Sequence, residues 1–244
     1  MLEINKFNKI ITANWKLNGT FEFIETYFKN IHSKVSIEAN VCGIICPPSI
    51  YIQNCSSIIS PLYLGAQDCS KYESGPYTGE VSATMLKDNN CNFCIVGHSE
   101  RREIFKIKDK DVNKKSEILI NKGIIPIVCI GETLEEKNAG LTKNILKKQV
   151  INSLPTNASI NSVIIAYEPI WSIGTGMTPT YEEISNIHLF IKKDIQNYEN
   201  YKILYGGSVK SNNAKDIMNL ENVDGVLVGG SSLDPLEFVK ILNS

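Results

Sequence analysis

The chain has 244 residues, 43% of them hydrophobic and 21% charged, enough to bury one sizeable apolar core in a single domain spanning 1–244. Its 25 basic and 26 acidic residues give a formal net charge of -1 and are spread along the sequence, which excludes the basic face of a nucleic-acid binder and means that any bound anion is held locally. No stretch approaches the roughly 18 consecutive apolar residues of a membrane span, and the first ten residues mix charges with apolar groups, so a cytoplasmic protein with no membrane partner is expected.

Short β-branched runs alternate with segments of helical spacing, the pattern of parallel strands joined by helical crossovers. In chain order, a strand is expected at 10–13, a helix at 21–33, and strands at 41–46, 63–67 and 93–96. A helix at 114–122 then leads to a strand at 125–130, and a helix at 143–154 to a strand at 163–167. The helix at 182–198 is entered through Thr180-x-x-Glu183, a capping-box spacing, and strands at 202–205 and 225–228 follow. Several of these runs are apolar throughout, as in strands buried on both faces. Eight such units in a chain of this length predict an α/β fold, a closed eight-stranded parallel (β/α)8 barrel, where a doubly wound open sheet has fewer strands.

Other motifs point away from other chemistries. After the first strand the sequence reads Asn14-Trp15-Lys16-Leu17-Asn18-Gly19, with neither GxGxxG nor a Walker loop, so neither a dinucleotide nor a nucleoside triphosphate is suggested. The seven cysteines are not needed as staples in a chain with this core, and reduced thiols are expected. Cys91 and Cys94 form a lone CxxC with no second ligand pair, and Cys94 opens an apolar strand, which favours a buried small hydrophobe over a redox or zinc pair. Three Asn-x-Ser/Thr sequons, at Asn18, Asn54 and Asn157, would matter only in a secreted protein. The charged run 106–115 alternates in sign and is expected to cover a solvated helix face.

In a barrel the carboxyl ends of the strands share one face, so polar residues that follow the apolar runs converge. Strand one is followed by Asn14 and Lys16, strand four by His98 and Glu100, and strand six by Glu168. Strands seven and eight lead into Gly206-Gly207-Ser208 and Gly229-Gly230-Ser231. Taken singly, each has a bland reading: a cap or surface Glu, a solvated Lys, a core His satisfied by backbone, glycines of tight turns.

Their contexts are more specific. Asn14-Trp15-Lys16, Ile95-Val96-Gly97-His98-Ser99-Glu100-Arg101-Arg102, Cys129-Ile130-Gly131-Glu132-Thr133, Tyr167-Glu168-Pro169-Ile170-Trp171, Ile173-Gly174-Thr175-Gly176, Tyr205-Gly206-Gly207-Ser208 and Val228-Gly229-Gly230 resemble, in order and over nearly the whole chain, the blocks of the triosephosphate isomerase family. The resemblance implies the TIM barrel of that family, no cofactor and no metal. It also implies interconversion of dihydroxyacetone phosphate and D-glyceraldehyde 3-phosphate, a small phosphorylated triose pair of glycolysis and gluconeogenesis, through an enediolate. That reaction needs a base, an electrophile and a phosphate anchor.

The resemblance makes Glu168 the base, strengthened when a closing lid removes its water. His98 becomes the electrophile, kept a neutral donor by a helix that starts at Ser99, so that the resemblance implies a glutamate base beside a neutral histidine. Lys16 and Asn14 become the cation and the uncharged donor for phosphate and developing oxyanion, with Glu100 steadying the lysine; the apolar Leu17 beside Lys16 favours an inward point charge. Gly174, Ser208, Gly229 and Gly230 become phosphate donors. Segment 169–179 becomes the lid, with Trp171 in its stiff arm and Tyr205 as its latch. Stretch 67–80 is similar to the family's dimer loop, implying a homodimer in which Thr78 touches the partner's Asn14 region. Pro76, where the family more often has Ala, and Met177, where it often has Lys, are departures that bear on loop rigidity and lid kinetics.

Two other readings stay open on the residues. A different phosphosugar barrel enzyme, such as a ketose isomerase or a Schiff-base aldolase, would need in the latter case a lysine buried inside a strand, whereas Lys202 lies at a strand start. A noncatalytic barrel would be expected to lack at least one of Lys16, His98 and Glu168.

Overall fold

The computed structural model describes residues 2–173, 177–195 and 200–244. Strands β1 (Lys9–Asn14), β2 (Val41–Cys46), β3 (Tyr63–Ala66), β4 (Phe93–Val96), β5 (Ile125–Ile130), β6 (Ile164–Tyr167), β7 (Lys202–Tyr205) and β8 (Gly225–Val228) each pair in parallel with their sequence neighbours. The ring closes where β8 meets β1, with Ile10 opposite Gly225 and Ala13 opposite Val228. Helices α1 (Phe21–Lys34), α2 (Ile52–Ser56), α3 (Ala83–Asp88), α4 (Ser99–Phe105), α5 (Asp109–Asn121), α6 (Leu134–Asn138), α7 (Thr142–Ser153), α8 (Tyr181–Lys193), α9 (Ser211–Met218) and α10 (Pro235–Leu242) fill the crossovers.

The continuous apolar strands are explained by two cores, one on each face of the ring. Ile10, Ile44, Phe93, Ile95, Ile127, Ile164 and Leu204 point into the barrel, joined from below by Ile4 and Phe7, which close its foot. Ile11, Ile45, Val96, Val128, Ile165, Ile203 and Val226 point outward to the helices. Because the foot is filled, polar groups of the interior can gather only at the opposite mouth. Among the described residues no helix is long and apolar enough to cross a membrane.

Each expected strand is present, with small shifts at the ends: β1 gains Lys9 and Asn14, β3 stops at Ala66, and β6 starts at Ile164. The helix expected at 182–198 is α8, ending at Lys193, and residues 196–199 lie outside the described ones. Its entry is the capping box the spacing predicts: the Thr180 hydroxyl accepts the Glu183 N–H at 3.1 Å and the Glu183 carboxylate accepts the Thr180 N–H at 2.8 Å.

The run 106–115 needs correction. Helix α5 begins at Asp109, five residues earlier than expected at 114, because Asp111 reaches back to accept the Lys108 N–H at 3.1 Å. Nor is the run wholly a solvated face. Lys115 is 3% exposed and gives both carboxylate oxygens of Asp68 a hydrogen bond, at 2.7 and 2.8 Å, since an ammonium so buried must be paired. The seven cysteines are free thiols, all buried. Burial pushes the Cys91 thiol up to about 12, which suits the buried-hydrophobe reading of Cys91 and Cys94.

Candidate functional site

At the mouth of the barrel a cavity of about 240 Å³ is lined by Asn14, Lys16, His98, Glu168, Ser208, Gly229 and Gly230, with Ile173, Gly206, Gly207, Val209, Leu227 and Ser231. It is smaller than the roughly 300–1,000 Å³ of drug-sized pockets, which suits a small ligand. Ten of the eleven residues singled out from strand ends therefore share one space, though they come from β1, β4, β6, β7 and β8; Glu100 stands outside the lining. Gly174 falls outside the described residues, as do Thr175 and Gly176 of the expected lid segment 169–179.

The turn after β1 sorts three successive side chains into three environments. Asn14 accepts the Lys16 N–H on Oδ1 at 3.1 Å, tightening the turn. Trp15 is fully buried among the α1 aromatics, edge-on to Phe23 at 5.0 Å and Tyr27 at 4.8 Å. Lys16 has φ +52, a left-handed conformation that is costly for a side chain of this size, and is thereby aimed into the cavity. The Leu17 expectation is wrong in its reason: Leu17 is 96% exposed and does not drive the lysine inward. That is done by the backbone and by Glu100, whose Oε1 lies 2.6 Å from the Lys16 ammonium.

Gln67, just past β3, has a place the sequence reading did not give it. Its Nε2 donates to the carbonyls of Lys16 and Cys46, both at 2.9 Å, and so braces the strained turn. The strand-end rule that picked out Lys16 would have picked it too.

His98 caps α4, with Nδ1 accepting the Glu100 N–H at 3.3 Å. A ring nitrogen that accepts cannot carry the proton, so in the neutral ring it sits on Nε2. That nitrogen lies 3.4 Å from Glu168 Oε1. Glu168 is 1% exposed and its other oxygen accepts the Ser99 N–H at 3.2 Å. Oε1 makes no hydrogen bond among the described residues. Two neighbouring strand ends must leave room for Glu168, one for its side chain and one for its backbone: a Cβ at Gly206 would stand 2.7 Å from Glu168 Cγ, and one at Gly131 only 1.8 Å from the Glu168 carbonyl oxygen.

Beyond Glu168 the chain is held by Glu132, at the end of β5, a residue to which the sequence reading gave no role. Its Oε1 accepts the Trp171 indole N–H at 2.8 Å and the Tyr167 hydroxyl at 3.2 Å, and burial pushes its carboxyl up. The Lys137 ammonium lies 3.6 Å over the Trp171 ring. On the other side of the segment, the Tyr205 hydroxyl is buried beside Ser172 and the Ser208 amide; desolvation raises it to about 12, so it stays neutral.

The stretch 67–80 projects from the same end. Thr78, at its tip, is exposed, and the rings of Tyr72 and Tyr77 stack at 3.8 Å and 1°, which stiffens the loop on either side of Pro76. A groove at its root is lined by Leu17, Pro48, Gln67, Cys69, Glu80 and Arg101.

Comparison with known proteins agrees with this geometry. The family model described as triosephosphate isomerase matches residues 9–244. Curated relatives named triosephosphate isomerase include those of Rhizobium meliloti, 42% identical over 95% of this chain and 94% of the relative, and Francisella tularensis subsp. mediasiatica, 41% identical over 96% of both. The crystal structure of triosephosphate isomerase from Bartonella henselae superposes with a TM-score of 0.88 at 33% identity, covering 97% of this chain and 98% of that one.

Proposed function

The chain belongs to the triosephosphate isomerase family, isomerases that interconvert dihydroxyacetone phosphate and D-glyceraldehyde 3-phosphate, and we propose that Glu168, His98, Lys16 and Asn14 carry this reaction. Glu168 takes the proton from the carbon beside the carbonyl and returns it to the neighbouring carbon. The Nε2–H of His98 polarises the carbonyl and moves protons between the two oxygens of the enediolate. Lys16 and Asn14 hold the developing oxyanion and, with Ser208, Gly229, Gly230 and Gly174, the phosphate. Glu100 steadies the lysine; Trp171 and Tyr205 govern the lid. Proton transfer of this kind changes no overall oxidation state, so no redox cofactor is part of the reading; the carbonyl polarisation that a Lewis acid could supply is assigned to His98 and Lys16.

The observation that carries it is the 3.4 Å separation of His98 Nε2 and Glu168 Oε1 beside the Lys16 ammonium in one small cavity. A coupled assay of D-glyceraldehyde 3-phosphate formed from dihydroxyacetone phosphate, without added metal or nucleotide, is expected to show turnover. A purified, folded chain that gives none would defeat the proposal.

A homodimer is part of the same reading, formed by the loop 67–80 of one copy entering the groove beside Lys16 of another. The 96% exposure of Leu17, an apolar side chain in the lining of that groove, supports it, because such a group gains by being covered. Sedimentation at micromolar concentration should give twice the monomer mass for the wild type, and Leu17→Glu should shift it toward the monomer; a wild-type monomer refutes the pairing. Seven buried free thiols support a reducing, cytoplasmic setting.

A further inference from the structure

Arg102 lies outside the cavity yet is tied to the residue that matters most there. Its guanidinium Nε donates to the Gly97 carbonyl at 2.7 Å, Nη2 to the Cys129 carbonyl at 3.1 Å and to Ser153 Oγ at 3.3 Å, and Nη1 to Asp109 Oδ1 at 2.6 Å. One planar group thus spans the ends of β4 and β5, the start of α5 and the end of α7, with its side chain 14% exposed. Gly97 has φ +68, and a Cβ there would stand 2.7 Å from Val112 and 3.0 Å from Arg102 Nη2. Its carbonyl can face the guanidinium only because no side chain intervenes.

The Gly97 carbonyl belongs to the same rigid peptide plane as the His98 nitrogen. Turning that carbonyl therefore turns the His98 backbone, and with it the direction in which Nε2 points. We propose that Arg102 is a positioning residue for His98, fixing the imidazole against substrate through the Gly97–His98 peptide. A lysine cannot replace it, since an ammonium on a flexible stem lacks the fork that reaches two strands at once. The inference rests on the reading of His98 as electrophile.

The test is a double-mutant cycle in kcat and KM, with inorganic phosphate as a competitive probe of the anion site. Arg102→Lys should lower kcat by about 10-fold, a fraction of the roughly 100-fold that a 1 Å misplacement can cost, while KM and the phosphate inhibition constant stay within about 2-fold. His98→Gln should slow turnover with phosphate affinity intact. In the His98→Gln background, Arg102→Lys should cost less than about 2-fold, since the group it positions is gone. Equal losses in both backgrounds would mean a merely structural role and overturn the inference, as would an unaltered kcat in folded Arg102→Lys. Unaltered turnover in His98→Gln alone would remove both the electrophile assignment and this one. Should Arg102→Lys not fold, Asp109→Asn, which keeps the guanidinium but frees one end, is run through the same cycle with the same criteria.

Discussion

Lys16→Met is expected to abolish useful binding of the triose phosphate, lowering kcat/KM by roughly three decades. Removing one partner of a desolvated, hydrogen-bonded charge pair costs about 3–5 kcal/mol, and each decade is about 1.4 kcal/mol. Methionine is chosen because it keeps an unbranched stem as far as Cε, omits the ammonium and meets the same left-handed backbone, at φ +52, so the strain in the turn is unchanged. Folding should hardly respond: Glu100 is left without its ammonium, but its side chain is 45% exposed, and water replaces an ion pair of that kind at a cost within about 1 kcal/mol. Steady-state kinetics and phosphate titration decide the matter. If affinity for phosphate survives, the anchor is elsewhere in the cavity.

Glu168→Asp should lower kcat by on the order of 100-fold, because it withdraws the carboxylate by about 1 Å from a reacting carbon whose position is set by the phosphate anchor. The charge is kept, and the side chain loses one methylene from a site 1% exposed, which with the small cavity left behind costs about 1 kcal/mol. Turnover and stability should therefore separate: a large fall in kcat beside a small shift in the urea midpoint. Near-normal kcat would take the base role from Glu168.

The cavity was legible in the sequence because a buried parallel strand announces its own end. Apolar runs stop where the ring opens to water, and the first polar residues after 10–13, 93–96 and 163–167 are the ones that line the mouth. What sits behind that first layer was harder to see. Lys115 is buried against Asp68, 47 positions away in sequence, and no local pattern distinguishes it from the solvated lysines beside it. The early start of α5 was missed for a related reason: residues 109–111 are all charged, and the helix is begun there by a carboxylate reaching back to Lys108, not by apolar spacing. Leu17 shows the converse error, in which an apolar neighbour suggested an inward turn that the backbone and Glu100 make without it. Glu132 and Gln67 also stand after strands, but their partners are a distant indole and two carbonyls, contacts that only the closed ring supplies.

The plug formed by Ile4 and Phe7 beneath the strands gives the molecule a division of labour along its axis. Harm done at the floor should register as a lowered melting point with catalysis preserved in the fraction still intact; harm done at the rim should register as lost catalysis in a chain that melts normally. Selection can therefore adjust either property with little regard for the other.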